Sequence, residues 1–153
     1  MTDPLNRALV SARATLSRDQ GLKLYARALE AGLGVPLSFD RNEPRLTGVE
    51  YLLGAVASDV LGGFLRLAKR RRLPVDDLEA VLKADVGNTL AWLEVVGAAG
   101  SPRIEGIAIS VYASSSEPEE RVRQLWDEAL ARAPIVNTLR ASLPLQINLQ
   151  LTT

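Results

Sequence analysis

Residues 47–71 constrain the fold more than any other segment. Thr47 and Glu50 have the Ser/Thr-x-x-Glu spacing of a capping box, in which each side chain satisfies an orphan backbone N–H of the other residue. The segment closes with Lys69-Arg70-Arg71-Arg72 before Leu73-Pro74. Cations there complement the negative end of a helix dipole, and the proline stops the helix. Between these signals Val49, Leu52, Leu53, Val56, Val60, Leu61, Phe64 and Leu65 point in nearly every direction around the axis. A helix of that kind is buried on several faces. Gly54, Ala55, Ala57, Ser58, Gly62 and Gly63 leave room for another backbone to come close. Asp59 stands in the middle of this apolar run, on a face shared with Leu52, Ala55 and Arg66. Burying an ionised carboxylate without a partner costs several kcal/mol. Asp59 is therefore expected to be paired with an arginine (Arg66, Arg18 or one from a second copy), protonated, or close to water.

Composition narrows the chemistry. A chain of 153 residues that is 47% hydrophobic can bury one proper core. It has no cysteine, which excludes disulfides, zinc-thiolate sites and thiol redox work. It has no histidine, the commonest general base and metal ligand. Net charge is zero, so there is no global pull toward nucleic acid or an anionic membrane. Lysine occurs only at Lys23, Lys69 and Lys83, and the arginine excess suggests a GC-rich bacterial genome. The N-terminus lacks the apolar core of a signal peptide. The run from Val49 to Val60 is broken by Glu50 and Asp59 and reads as too short to span a bilayer. The expected location is the cytoplasm. Gly97-Ala98-Ala99-Gly100 lacks the strand-to-helix context of a phosphate loop, and no cofactor or metal is expected.

The first forty residues admit two readings. Leu22 to Leu29 contains good helix formers. Yet Leu22, Leu24, Ala26 and Ala28 alternate with Lys23, Tyr25 and Arg27, and Val10, Ala12, Ala14 and Leu16 alternate likewise, which is strand periodicity. Ser17-Arg18-Asp19-Gln20-Gly21 between them suits a hairpin turn, and Val35 to Phe39 suits a short third strand. Further on, Leu78, Ala80, Leu82, Ala84 and Val86 alternate with Glu79, Val81, Lys83 and Asp85, predicting a strand. A loop through Gly100-Ser101-Pro102 leads to a second strand from Ile104 to Ala113. Ser116-x-x-Glu119 is a second capping box, opening a helix with Val122, Leu125, Trp126, Ala129, Leu130 and Ala133 on one face. Leu145, Ile147, Leu149 and Leu151 alternate with Gln146, Asn148 and Gln150 as a half-buried final strand.

The stretch from Thr47 to Asp59 resembles the signature of the OsmC-like (osmotically inducible protein C and organic hydroperoxide resistance) family, roughly Pro-x-Glu-Leu-Leu-Leu-Ala-Ala-Leu-Gly-Ser-Cys. In that family the closing cysteine attacks a peroxide; here the position is Asp59. The family's second cysteine usually precedes a proline, and the matching stretch Ala133-Pro134-Ile135-Val136 puts Ala133 in its place. The resemblance implies an α+β fold of order β-β-β-α-β-β-α-β, and so favours three N-terminal strands over a helix. It also implies an intertwined homodimer with the long apolar helix at its centre. The expected organisation is one OsmC-like domain over 1–153, with N-terminal strands over about 8–40 and the central helix over about 47–71. Strands follow over about 78–113, a second helix over about 117–133, and a last strand over about 143–152.

Three residues are candidates for a pocket. Arg18 lies in a turn similar to the Gly-Gly-Arg-Asp-Gly-like turn whose arginine activates the family's thiolate, although a solvated turn arginine reads equally well. Glu50 matches the family's Pro-x-Glu, but helix capping explains it, and the working glutamate of the hydroperoxide branch falls where this chain has Val49. Asp59 replaces the nucleophile. These substitutions imply a pocket between subunits that holds a small apolar or weakly polar ligand; the alternatives are a structural or interaction protein with a filled pocket, or an acid-base enzyme using Asp59 with Glu50 or Arg18. With no sulfur at Asp59 or Ala133, the protein is expected to consume neither organic hydroperoxides nor hydrogen peroxide. Peroxide loss measured with dihydrolipoamide as reductant should match a heat-killed control.

Overall fold

The structure, a computed structural model, describes residues 7–38 and 42–152. The chain divides into two compact units, Met1–Gly48 and Val49–Thr153.

In the first unit, strands β1 (Arg13–Ser17), β2 (Gly21–Ala26) and β3 (Leu29–Leu33) form an antiparallel meander in the order β1-β2-β3. The alternation of Leu22, Leu24 and Ala26 thus marks a strand and not a helix. The third strand differs from expectation. It occupies Leu29–Leu33, while residues 35–38 are irregular and Phe39 lies outside the described residues. The reason is a tight reversal at Arg27 and Ala28, with Arg27 in the left-handed region at φ 55°. Arginine is an unusual choice there, so the turn carries no glycine or asparagine signal. Arg45 clamps this sheet: its guanidinium donates to the carbonyls of Leu22 at 3.1 Å and Gln20 at 2.9 Å. It lies so close over Gly21 that a Cβ there would meet Nη1 at 2.7 Å. Gly21 is doubly required, since its φ is +69°.

The second unit opens with a continuous helical rod of three parts: α1 (Gly48–Ala57), whose first residue closes the preceding unit, a π-helical turn (Ser58–Gly62) and α2 (Gly63–Arg71). At 24 residues the rod is long and apolar enough to cross a membrane by length and composition, which corrects the shorter reading of its apolar run. Val56, Val60, Phe64, Leu67 and Ala68 place one face of it in the protein core, so within this chain it is buried on one face and not on several. Its C-terminal stop uses Arg72 in the left-handed region at φ 54°, with Leu73 N–H donating to the Ala68 carbonyl at 2.9 Å.

Strands β4 (Asp77–Gly87), β5 (Arg103–Ser114) and β6 (Leu145–Thr152) form the second sheet, β4 and β5 antiparallel, β5 and β6 parallel. Hydrophobic alternation fixes the register. Leu78, Ala113 and Leu151 lie side by side, as do Ala80, Val111 and Leu149, then Leu82, Ile109 and Ile147, then Ala84, Ile107 and Leu145. These four rows make one apolar face, and a slip of one residue would turn a strand's whole apolar set outward. Parallel pairing of β5 and β6 needs a long crossover. Helices α4 (Glu119–Ala131) and α5 (Pro134–Arg140) supply it. Trp126 of α4 meets Phe64 edge-on, with ring centroids 5.2 Å apart, and both belong to the buried core.

Three local features depart from the sequence reading. The Ser116 capping box does not form, because Pro118 occupies the N-cap of α4 and no side chain caps that helix. A short helix, α3 (Thr89–Trp92), interrupts the loop before β5 and carries Trp92 half-buried. Helix α5 follows α4 after a break at residues 132 and 133 and was not anticipated as a separate element.

Phe64→Ala removes a ring that is fully buried. It should destabilise the protein by about 3–5 kcal/mol in urea unfolding, the range for large-to-small core changes. A loss below about 1 kcal/mol would show that the Phe64–Trp126 contact does not organise this core.

Candidate functional site

The site begins with an unmet need at the start of α5. Four backbone N–H groups at a helix N-terminus lack intrahelical partners. Here Ala133 is the N-cap residue, with extended backbone (φ −89°, ψ 106°) and only a methyl side chain. Its own N–H is satisfied by the Leu130 carbonyl at 3.1 Å. Pro134 at the first helical position has no N–H, which is why proline suits that place. The N–H groups of Ile135 and Val136 remain. Both donate to one oxygen, Oδ2 of Asp59, at 2.8 Å and 3.0 Å.

Asp59 therefore caps a helix 76 residues further along the chain. An N-cap aspartate normally serves its own helix through the same two donors; here the carboxylate reaches across from the π-helical turn. That turn has a local cause and a consequence. Its i→i+5 bonding inserts a residue into the ladder at Ser58–Gly62. It also directs Asp59 toward α5 while Val60 stays in the core. The negative charge further complements the positive end of α5.

This corrects the expectation of an arginine partner. Among the described residues no ion pair includes Asp59. Arg66 shares two cavities with it without pairing. One, about 40 Å³, is lined by Asp59, Gly63, Arg66, Arg70, Arg132 and Ala133, among others, and is water-sized. Positions 59 and 133, matched by resemblance to the family's two cysteines, thus border one small cavity. The other is an open cleft of about 480 Å³ lined by Ala55, Ser58, Asp59, Gly62, Gly63, Arg66 and Ile135.

The other two sequence candidates stand on other elements. Glu50 is exposed in the first turn of α1, about 13 Å from Asp59 along the helix axis, and does not line the cleft. Arg18 is exposed in the turn between β1 and β2, in the first unit. The donors that matter most, the N–H groups of Ile135 and Val136, were missed by sequence reasoning because backbone groups leave no residue-type signature. One signal existed: Pro134 after an uncapped Ala133 marks a helix start lacking its own cap.

The fold and this pair of positions define a class. The family model for OsmC-like proteins matches residues 41–148. Among solved structures the chain is similar to an OsmC-like protein from Mycoplasma pneumoniae, with TM-score 0.75 and 16% identity over 95% of this chain and 99% of that one. It is similar also to a hypothetical protein from Aquifex aeolicus VF5, at TM-score 0.73 and 16% identity over 95% and 98% of the two chains. An organic hydroperoxide resistance protein from Elizabethkingia anophelis, solved with thiocyanate bound, gives TM-score 0.67 and 11% identity over 96% and 99%. No match is found among curated proteins. The chain belongs to the OsmC-like family. Within that family it is a member without a cysteine, and so without a thiolate to attack a peroxide.

Asp59→Ala leaves two N–H groups unmet and should cost about 1–3 kcal/mol. Adding Ala133→Ser restores a capping oxygen in α5's own N-cap and should recover about 1 kcal/mol of that loss. Denaturant unfolding of the single and double variants measures the coupling. Equal stability of Asp59→Ala and the double variant would remove the capping role.

Proposed function

We propose that the protein is a non-redox OsmC-like homodimer that binds a small ligand in the cleft beside Asp59. The observation that carries this reading is the way Asp59 is held. The carboxylate, at the position that the resemblance matches to the family's nucleophile, is held by two N–H donors and borders an open cleft of about 480 Å³. That volume lies in the range of small-molecule sites, and a rigid polar anchor on a small-residue floor is the usual means of orienting a ligand. A cavity between the long helices of two subunits would separate ligand binding from a structural protein with a filled pocket. The lining is mixed, with Ile135 and Ala55 beside Asp59, Arg66 and Ser58, so the ligand carries polar groups as well as apolar surface.

The dimer rests on the rod from Gly48 to Arg71. Only 28% of its most apolar window is buried. A Cβ added at Gly54, which does not line the cleft, would meet nothing within 4 Å, and this leaves room there for a second helix. Large apolar surfaces are rarely left open on soluble monomers. The cleft then lies between subunits. The location we assign is the cytoplasm. An acid-base enzyme pairing Asp59 with Glu50 gains no support, since the two lie about 13 Å apart along one helix.

Sedimentation at micromolar concentration should give twice the 16.5 kDa chain mass. A folded monomer would overturn the dimer. A thermal-shift screen of small acids, amines and neutral compounds should yield ligands that raise the Tm of the native protein. Those shifts should vanish in Ala55→Phe, which fills the cleft. Shifts unchanged by that substitution, or no hits at all, would overturn the binding role.

A further inference from the structure

We infer that the cleft selects a zwitterion, a free amino acid or similar molecule carrying one ammonium and one carboxylate. The inference rests on the ligand-binding reading above and specifies the ligand's chemistry. Asp59 spends one oxygen on α5: Oδ2 takes both N–H groups, and among the described residues Oδ1 has no partner. Arg66 lines the same cleft and, among the described residues, makes no hydrogen bond or ion pair. Asp59 and Arg66 are about 10 Å apart along the axis of one helical rod. The capping bonds orient the carboxylate toward α5, so it does not swing to meet the guanidinium. One cleft thus presents an unspent acceptor at one point and an unspent fork of donors at another.

Charge complementarity then discriminates. A simple anion gains from Arg66 but meets the Asp59 carboxylate; a simple cation gains from Asp59 but meets Arg66. Only a molecule bearing both signs gains at both ends, and juxtaposed like charge is an effective means of rejecting wrong ligands. Arg66 suits the carboxylate end, because the guanidinium fork binds carboxylate in bidentate fashion. Asp59 Oδ1 suits an ammonium. The Ser58 hydroxyl adds a neutral donor and acceptor, and Ile135 offers apolar contact to a short side chain. The neighbouring cavity of about 40 Å³ is too small for such a ligand.

Calorimetric titration of the protein with glycine, β-alanine, L-alanine and L-leucine tests this. At least one should bind, and its N-acetyl and methyl-ester derivatives, which each lack one charge, should bind about tenfold more weakly or worse. Arg66→Ala, at an exposed position, should fold normally and lose about tenfold in affinity. Arg66→Lys should retain part of it. The inference fails if none of the four amino acids binds, if a blocked derivative binds as well as its parent, or if Arg66→Ala leaves affinity unchanged. An N-acetyl compound that stabilises the native protein but not Ala55→Phe, with the free amino acids inert, would sink the zwitterion and leave the binding role standing.

Discussion

Two hydrogen bonds to a single carboxylate oxygen connect segments of the second unit that lie 76 and 77 residues apart in sequence. Asp59 sits at the centre of the helical rod, and Ile135 and Val136 begin α5. Helix α5 is short and starts with a residue that cannot cap it, so its placement depends on an acceptor from outside. From α5 the chain passes through Pro144, whose carbonyl accepts from Ile107 N–H at 3.0 Å, and enters β6 in parallel register with β5. Anchoring α5 therefore helps set where the last strand joins the sheet. A polar anchor at a helix start is worth more than its count suggests, because donors left unmet there are costly.

The remainder of the second unit is organised by apolar burial. Four cross-strand rows form the floor, and Val56, Val60, Phe64 and Leu67 from the rod share the core with Val122, Leu125 and Trp126 from α4. Glu128 binds both Arg71 at 2.9 Å and Arg132 at 2.8 Å, tying the end of α2 to α4 at the surface. Exposed pairs of this kind contribute little stability individually. They hold the Arg132 guanidinium beside the small cavity, whereas Arg66, the arginine that lines the open cleft, makes no ion pair among the described residues.

Period-two alternation made β4, β5 and β6 legible, because each strand has one buried face and the sheet enforces it. The rod was legible from its caps and apolar content, and its end at Arg71 came from Pro74 and the basic run. Less was visible where the chain uses residues against type. Arg27 turns the hairpin before β3, Arg72 ends α2 in a left-handed conformation, and Pro118 displaces the Ser116 cap. At the site, Asp59 was conspicuous, but its partner was not. A carboxylate in an apolar helix announces a need, and side-chain inventories point to arginine; backbone donors are invisible in a sequence unless the helix that exposes them is recognised first. Overlooking α5 and misassigning the partner of Asp59 were one and the same omission.

The cross-helix cap also bears on the order in which such a site can change. A thiol is a weak hydrogen-bond acceptor beside a carboxylate. Placing cysteine at position 59 in this background would strip α5 of its cap before any thiol redox function was gained, since position 133 is an alanine. A path to such chemistry would first have to supply a new acceptor at the N-terminus of α5, a change of no use to the protein while Asp59 is present. The carboxylate acts as a ratchet: while the helix leans on it, thiol chemistry at position 59 is separated from the present state by an intermediate that is less stable and still inactive.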